Sequence, residues 1–458
     1  MNYLLLFVPP IVAYLLNGAP ISSFFISWIS SVVYIVLSIS GKITPLPTDR
    51  KWSDQLFRPF IFSQVLFFGY NAIANVFFFS DSLGYFYFKK VDQSVDMNLL
   101  SKLAVIQNYI LTAHAVYLCG VLPGIRHYAL QKPKYKIALK HQSYLIYSLL
   151  LFASVYLLRN TPLSFFAFYL NSLGLFLALF YCIKSLREKT HLPVAIMLLG
   201  FLIINALLSG MKENMIVIII FLLINLYSAY KWKPIIFLAP FMLFFFYYYP
   251  TLNGTYRQLA WDEGVDSYDA ATEVLKEENI AKLSIKENNW AFLTTRLTEV
   301  SMAVSYFDYV PEKRDYYGLD IVYDGLKLLA PRILFPDKGS PDISAMKRAT
   351  DAGAITLNEN DYTSAKPQTL PDAYMSGGLI GVIITFFLFG WLTTKISLWC
   401  ESSFGGYEFG SILVFQSFFS LFGKGGCFEN LIGSLFWSLI LVAALHLLLL
   451  NQKILIRK

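Results

Sequence analysis

Predominantly apolar runs of residues follow one another along most of the chain, separated by short polar connections. The runs at 163–183 and 431–450 are close to the ~20 residues that a helix needs to cross a hydrocarbon layer of ~30 Å. Lipid cannot satisfy backbone N–H and C=O groups, and the runs lack the alternation of barrel strands, so each span is expected to be helical. The pattern predicts an all-α polytopic integral membrane protein with about twelve transmembrane helices. The predicted spans lie near 3–16, 21–40, 57–79, 103–122, 143–158, 163–183, 193–210, 215–230, 234–250, 376–396, 411–423 and 431–450.

Lysine and arginine concentrate in the connections on one side of these spans. Because basic loops are retained in the cytoplasm, this pattern places that side and both termini in the cytoplasm. The first run has neither a basic region before it nor a cleavage pattern of small residues, so it is expected to stay in the protein as a span. The basic connections are 42–58, 123–142, 184–192, 231–233 and the C-terminal tail.

One long polar segment, 251–375, interrupts the succession of spans and lies opposite the basic connections. Its acidic residues outnumber its basic ones, and a loop of this length in a compact protein is usually folded and functional. Hydrophobic spacing predicts an amphipathic helix from Trp290 to Tyr309. The predicted organisation is about nine spans over 1–250, a large periplasmic loop with amphipathic helices over 251–375, and about three spans with a basic tail over 376–458.

Composition narrows the functions that the chain can have. Of its residues, 56% are hydrophobic and 15% are charged, against the roughly 25% charged residues of soluble domains. The net charge of +7 comes from the short basic connections, so it indicates membrane topology and not a nucleic-acid partner. The four cysteines stand singly, the long segment contains no histidine, and no nucleotide-binding glycine loop occurs, so no metal or other cofactor is expected.

Arg296 and Glu299 stand three residues apart in the predicted amphipathic helix, a spacing that places both side chains on one face. Such a pair is commonly an ordinary surface ion pair. As a functional pair, Arg296 would hold a phosphate by a bidentate contact, and Glu299 would orient it or accept a proton.

Three further cations are candidates for contact with a phosphate at the membrane surface. Arg332 begins an apolar stretch whose flanking prolines, at 331 and 336, argue against a helix. Such a segment can enter the membrane interface and present Arg332 to a lipid headgroup, or it can be a loop in which Arg332 is simply solvated. Lys212 and Arg257 fall beside predicted spans on the side of the long segment, where solvated positions are the alternative.

Asp372 and Tyr374 stand directly before a span that is rich in glycine near its start. The glycines at 377, 378 and 381 are expected to permit close helix packing. An ionisable group at a membrane boundary, beside a large extramembrane loop, is a candidate functional residue.

The order of these motifs resembles the Wzy-type O-antigen polymerases, which join oligosaccharide repeat units. In that family a Glu-x-Tyr-x-x-x-Gly-x-x-Gly pattern commonly leads into the span after the large periplasmic loop. Its positions are occupied here by Asp372, Tyr374, Gly378 and Gly381. Asp replaces the commoner Glu. The family's frequent Ser-Gly-Ser-Arg turn looks matched at 209–212, where Lys212 replaces the usual Arg.

The resemblance implies a metal-independent membrane glycosyltransferase of the bacterial inner membrane. It would move a growing glycan from undecaprenyl diphosphate to an incoming lipid-linked repeat unit, in the synthesis of O-antigen, capsule or exopolysaccharide. Cations would stabilise the leaving diphosphate, and a carboxylate would deprotonate the attacking hydroxyl. Glu299 is the first candidate for this base and Asp372 the second. The cation candidates are Arg296, Arg332, Arg257 and Lys212.

The implied partners are undecaprenyl-diphosphate-linked oligosaccharides, membrane lipid, a chain-length regulator and a flippase. Tyr374 and Trp290 are candidates for stacking on sugar rings, although aromatic residues at a membrane interface usually serve as anchors. Two alternatives stay open. An O-antigen ligase uses the same donor, but a loop histidine is typical of ligases and is missing here. A transporter or flippase of lipid-linked oligosaccharides would more often show internal repeats and charges at the membrane midplane.

Overall fold

The chain is folded almost entirely into helices. The computed structural model describes residues 3–130, 133–161, 163–209, 212–274, 276, 285–330, 341–355 and 365–458. It is 76% helical and has almost no sheet, which confirms the expected helical class. The chain divides into two compact units. Unit 1 comprises Met1–Ala138, Leu158–Tyr169 and Leu297–Lys458, and unit 2 comprises Leu139–Leu157 and Leu170–Arg296.

The secondary structure elements follow in chain order. The helices of unit 1 are Tyr3–Phe7, Val8–Leu15, Pro20–Ile39, Trp52–Asp54, Pro59–Ser63, Gln64–Ile73, Asn75–Ser82, Met97–Leu130, Val300–Tyr309, Asp320–Lys327, Pro341–Asp351, Thr369–Ser403, Tyr407–Phe415, Gln416–Phe418, Ser420–Lys424 and Phe428–Asn451. The helices that lie wholly or mostly in unit 2 are His141–Leu158, Ser164–Glu188, Leu192–Leu208, Lys212–Tyr230, Lys233–Arg257, Gln258–Asp262, Ser267–Val274, Ile285–Ala291 and Phe292–Arg296. The strands pair antiparallel, Tyr85–Phe86 with Lys89–Lys90 and Tyr135–Ile137 with Leu455–Arg457.

Within the described residues, seven helices are long and apolar enough to cross a membrane. They are Pro20–Ile39, Pro59–Ser82, Met97–Ile125, His141–Leu158, Phe166–Glu188, Thr369–Ser403 and Phe428–Asn451. Each coincides with a predicted span, so the chain is a helical membrane protein. Shorter apolar helices occupy the predicted spans near 3–16, 193–210 and 215–230. The predicted span near 411–423 is not one helix, because Phe419 leaves helical geometry and separates Gln416–Phe418 from Ser420–Lys424.

Two long helices of unit 1 approach each other at their glycines. A Cβ atom added at Gly390 would lie 2.2 Å from the carbonyl oxygen of Tyr117, and one at Gly120 would lie 2.2 Å from that of Phe387. Because no side chain fits at such distances, glycine is required at both positions. Small residues at a crossing allow two helix backbones in a membrane to touch, and this contact joins Met97–Leu130 to Thr369–Ser403.

The helix Thr369–Ser403 is broken at Gly377 and Gly378, and we call it the kinked helix. Gly378 has a φ of +58°, which is the left-handed region that favours glycine. A Cβ at Gly381 would lie 2.1 Å from the carbonyl oxygen of Ala373, so the turns before the break lie directly against those after it. These glycines thus form a break and a close backbone contact within one helix, and a Cβ at Gly377 would meet nothing within 4 Å, so the expected packing against another helix stays a prediction.

Basic segments of unit 1 meet at the C-terminal end of the kinked helix. The tail strand Leu455–Arg457 pairs with Tyr135–Ile137, which lies in a basic connection. In a second basic connection, Arg58 Nε lies 3.1 Å from Glu401 Oε1. Asp372 stands beyond the break at the other end of the kinked helix, and the unbroken part from Leu379 to Glu401 alone spans on the order of 30 Å at 1.5 Å per residue. Charged groups therefore mark both ends of a helix long enough to cross a membrane.

We expect Gly390→Ala to destabilise the protein, because the added methyl group must push against the backbone of Tyr117. Overpacking of this kind typically costs about 1–3 kcal/mol. Gly433→Ala is the matched control, since a Cβ there meets nothing within 4 Å. The measurement is the apparent melting temperature of both variants in lipid nanodiscs. Equal melting temperatures would show that the helix contact does not depend on glycine.

Candidate functional site

A buried guanidinium lies between two buried carboxylates in unit 1. Arg348 is 4% exposed, Asp372 0% and Glu429 1%. Arg348 Nη2 lies 3.0 Å from Asp372 Oδ1, and its Nη1 lies 2.5 Å from Glu429 Oε1. Ser344 Oγ donates a further hydrogen bond of 2.9 Å to Glu429 Oε1. We call Arg348, Asp372 and Glu429 the buried triad.

Three helices bring the triad together. Arg348 lies on Pro341–Asp351, which starts with a proline, a residue favoured in the first turn. Its neighbours on the buried face, Ala345 and Ala349, are small enough to let the guanidinium reach inward. Asp372 comes from the first turn of the kinked helix, and Glu429 comes from the first turn of Phe428–Asn451.

The positive end of a helix helps to compensate the charge of the triad. One guanidinium and two ionised carboxylates carry a formal charge of −1. Asp372 Oδ2 also accepts a hydrogen bond of 2.8 Å from the backbone N–H of Phe428, one of the amides that a helix start leaves unpaired. Burial lowers the pKa of Arg348, but the two carboxylates raise it by more, so its pKa is raised overall. The guanidinium therefore stays charged.

A pocket of about 570 Å³ opens beside the triad, in the range usual for ligand sites. Its lining comes from the helix Asp320–Lys327, from Arg314 and Tyr317 just before that helix, and from the helix Pro341–Asp351. Tyr317 lies in the lining with its ring 4.0 Å from the guanidinium of Arg314. Burial raises the pKa of Tyr317, and its hydroxyl has no hydrogen-bond partner among the described residues.

A smaller cleft in unit 1 contains Glu299, and its volume of about 20 Å³ is close to that of one water site. Lys366, Asn75 and Tyr306 also line it. The carboxylate of Glu299 accepts a long hydrogen bond of 3.4 Å from Tyr70. The hydroxyl of Tyr306 has no partner in the described part of the chain, and burial, followed by the charges of Asp372 and Glu299, raises its pKa.

The structure surrounds Asp372 more completely than the sequence indicates. Both carboxylate oxygens are engaged by Arg348, and one also by Phe428. These contacts suit Asp372 to positioning the loop, and its role as a base stays a prediction. Tyr374 is also largely enclosed, since Phe307 stacks on its ring at 3.7 Å.

The helix expected from Trp290 to Tyr309 is not continuous. Helical structure ends at Arg296 and resumes at Val300, and Glu299 has φ −105° and ψ 18°. The same-face argument for Arg296 and Glu299 is therefore wrong, because a spacing of three residues has that meaning only inside a helix. Whether either residue acts in catalysis stays a prediction.

The other predicted residues lie elsewhere. Arg257 ends the helix Lys233–Arg257 in unit 2 and is half-buried. Trp290 is 4% exposed, so it has little ring surface to offer a ligand. Lys212 begins the helix Lys212–Tyr230, but its side chain, like that of Arg296, lies outside the described part of the structure. Arg332 lies outside the described residues altogether.

Sequence reasoning missed Arg348 and Glu429. Glu429 immediately precedes an apolar run, as Asp372 does, so the same boundary argument would have found it. Arg348 carries a weaker signal. Alanines three residues before it and one residue after it place a small-residue face on a short helix, but an arginine in a polar loop is expected to face solvent.

Comparison with known proteins assigns the chain to a family. Residues 8–457 match the family described as a domain of unknown function, DUF8712, and the chain belongs to it. No curated protein and no solved structure matches the chain. Function must therefore be argued from the residues and their geometry.

We expect Arg348→Ala to lower stability by about 3–5 kcal/mol, because it leaves two carboxylates buried without their cation. Lys347→Ala, which removes the adjacent exposed cation, should change stability by less than about 0.5 kcal/mol. Thermal unfolding of the full chain in nanodiscs measures both.

A neutral version of the triad separates charge from packing. The combined variant Arg348→Met, Asp372→Asn, Glu429→Gln buries no unpaired charge, so it should recover part of the loss seen with Arg348→Ala. If Arg348→Ala were as stable as Lys347→Ala, the triad would not hold the loop to the span ends.

Proposed function

We propose that this protein is a polysaccharide polymerase of the bacterial inner membrane. It transfers a growing glycan from undecaprenyl diphosphate to an incoming lipid-linked oligosaccharide repeat unit, and it uses no metal or other cofactor. The polymer is O-antigen, capsule or exopolysaccharide. Undecaprenyl-diphosphate-linked oligosaccharides are its substrates, and a flippase and a chain-length regulator are its partners.

The proposed topology has about twelve spans, both termini in the cytoplasm and the loop 251–375 in the periplasm. Its support is the distribution of charge in unit 1. The basic tail and two basic connections lie at one end of the kinked helix, and Asp372 lies at the other. In this topology the buried triad stands at the periplasmic surface, where the carrier lipid presents its diphosphate.

The observation that carries the proposal is the structural role of the polymerase-like motif. Asp372, Tyr374 and Gly378 each contact a residue of the long loop. Those loop residues are, in order, Arg348, Phe307 and Tyr316. The motif thus holds the loop against the start of the following span, which gives its spacing a physical reason. A loop held at the start of a span suits a periplasmic glycan transferase whose donor is bound to the membrane.

The reaction is a displacement at the anomeric carbon of the growing glycan. An acceptor hydroxyl oxygen forms a bond to that carbon, the bond from the carbon to the diphosphate oxygen breaks, and undecaprenyl diphosphate leaves with the electron pair. The hydroxyl proton passes to a carboxylate. Glu299 suits this role better than Asp372, because it lines a cleft with room for a water molecule, whereas both carboxylate oxygens of Asp372 are engaged by Arg348. Asp372 positions the loop.

Charge that develops on the leaving diphosphate must be stabilised by fixed cations. Arg296, Arg257, Arg332 and Lys212 are the candidates. Removing one such group commonly costs a factor of about 10²–10³ in rate. Tyr374 and Trp290 are both largely buried, so a packing role accounts for them better than direct stacking on sugars.

Topology is tested by labelling with a membrane-impermeant maleimide. Tyr268→Cys places a thiol at a site that is 72% exposed in the long loop, and we expect it to react in intact spheroplasts. Lys136→Cys, in a basic connection, should react only after permeabilisation. The reverse pattern would put the long loop in the cytoplasm and exclude the proposed enzyme.

Activity is tested with the purified full chain in nanodiscs and synthetic undecaprenyl-diphosphate repeat units, without nucleotide or divalent metal. We expect a ladder of chain lengths. Glu299→Gln should slow its formation by about 10²-fold or more, because general-base catalysis is lost. Glu287→Gln, an exposed loop carboxylate, should leave the ladder unchanged.

Other products would refute the polymerase. A single transfer to a lipid A core would identify a ligase. Movement of the lipid-linked unit across vesicles without a new glycosidic bond would identify a transporter. A ladder that persists in Glu299→Gln would keep the polymerase and reject this base.

A further inference from the structure

We propose that the 570 Å³ pocket binds the uncharged sugar residues of a glycan and not the diphosphate of the lipid carrier. The inference rests on the proposed function, because it says which part of the substrate this pocket takes. It also makes a claim about binding that can be tested without any enzymatic turnover.

The charges that line the pocket are of both signs. The lining cations are Arg314, Lys327, Lys347 and Arg348, and the lining carboxylates are Asp320, Asp324 and Asp351. Two of the cations are already paired, Arg348 in the buried triad and Lys327 with Asp324 at 3.0 Å. Asp324 is therefore also paired and is not available to a ligand.

The charged lining residues that form none of these ion pairs are two cations and two carboxylates, so their charges balance. Arg314 and Lys347 are exposed and form no ion pair with a described residue, while Asp320 and Asp351 are the remaining carboxylates. A diphosphate needs a clear excess of positive charge, which the described residues of the lining do not provide. Sugar hydroxyls both donate and accept hydrogen bonds, so they suit a wall that offers cationic donors and anionic acceptors side by side.

Asp351 carries a negative charge at the C-terminal end of its helix, where a negative charge is unfavourable. It is the last residue of Pro341–Asp351, where the partial negative charge of the helix end disfavours a carboxylate. Its position in the pocket lining gives it another role, as an acceptor for hydroxyl groups. The hydroxyl of Tyr317, which lacks a partner within the described residues, adds a further polar group to the same lining.

An exposed aromatic ring completes the sugar site. Tyr323 lines the pocket on the helix Asp320–Lys327 and is 53% exposed, so its ring has free surface. A sugar ring has an apolar face of C–H groups, and a rigid aromatic ring can cover that face at low entropic cost. Charged acceptors and donors around one exposed tyrosine therefore fit a carbohydrate.

Two probes test the inference on the full chain in nanodiscs. One is an array of bacterial repeat-unit oligosaccharides that carry neither lipid nor phosphate, and the other is inorganic pyrophosphate. We expect the protein to bind one or more oligosaccharides of the array. Tyr323→Ala and Asp351→Asn should each weaken that binding by about tenfold. Both positions are exposed, so the variants should fold.

The matched controls change residues of the same type elsewhere in the long loop. Tyr268→Ala and Asp269→Asn are exposed and do not line the pocket, so they should leave oligosaccharide binding unchanged. Pyrophosphate binding should not respond to Lys347→Gln. The inference would be overturned if no oligosaccharide bound in a way that depends on Tyr323 and Asp351. A tenfold loss of pyrophosphate binding in Lys347→Gln would also overturn it.

The inference and the polymerase can fail separately. A protein that binds oligosaccharides through Tyr323 but forms no ladder would refute the polymerase and keep the sugar site. A protein that forms the ladder with an unchanged KM in Tyr323→Ala and Asp351→Asn would keep the polymerase and refute the sugar site.

Discussion

The two salt bridges of Arg348, to Asp372 and to Glu429, are the constraint on which the rest of the site depends. A charge buried in a low-dielectric place cannot be left without its partner, so the loop helix and both span starts must be assembled together. The same contact holds part of the wall of the larger pocket in place, because Arg348 lines this pocket while its guanidinium is bound to Asp372. The break at Gly378 and the close backbone contact at Gly381 separate the turn that carries Asp372 from the rest of the kinked helix.

The sequence predicts the membrane helices well because lipid leaves the backbone few choices. Seven of the predicted spans return as long apolar helices of the described chain, and the basic tail pairs with a strand of one basic connection. The segment 411–423 is also predicted as one span, but it does not form one helix. It is apolar, but its residues are enclosed by protein, and there the backbone can depart from a single regular helix, as Phe419 does.

The site is predicted only where a residue type is unusual for its place. Asp372 stands out because a carboxylate at a membrane boundary is costly, and the structure places it in the triad as a partner of Arg348. Arg348 does not stand out, because its burial depends on contacts distant in sequence. The pairing of Arg296 with Glu299 fails for a local reason, since three residues of spacing mean one face only if the helix is unbroken between them.

Separation of charge from sugar binding has a physical rationale in a polymerase. The growing chain must shift by one repeat unit after each transfer, so the contacts that hold its sugars have to be individually modest. A pocket whose charges balance gives hydrogen bonds to hydroxyls without trapping the chain, as a strongly cationic wall would trap an anion. The diphosphate differs, because it is held while the bond breaks and then leaves with its lipid. It therefore needs concentrated positive charge away from Tyr323 and Asp351, and in the proposed enzyme the other loop cations supply it.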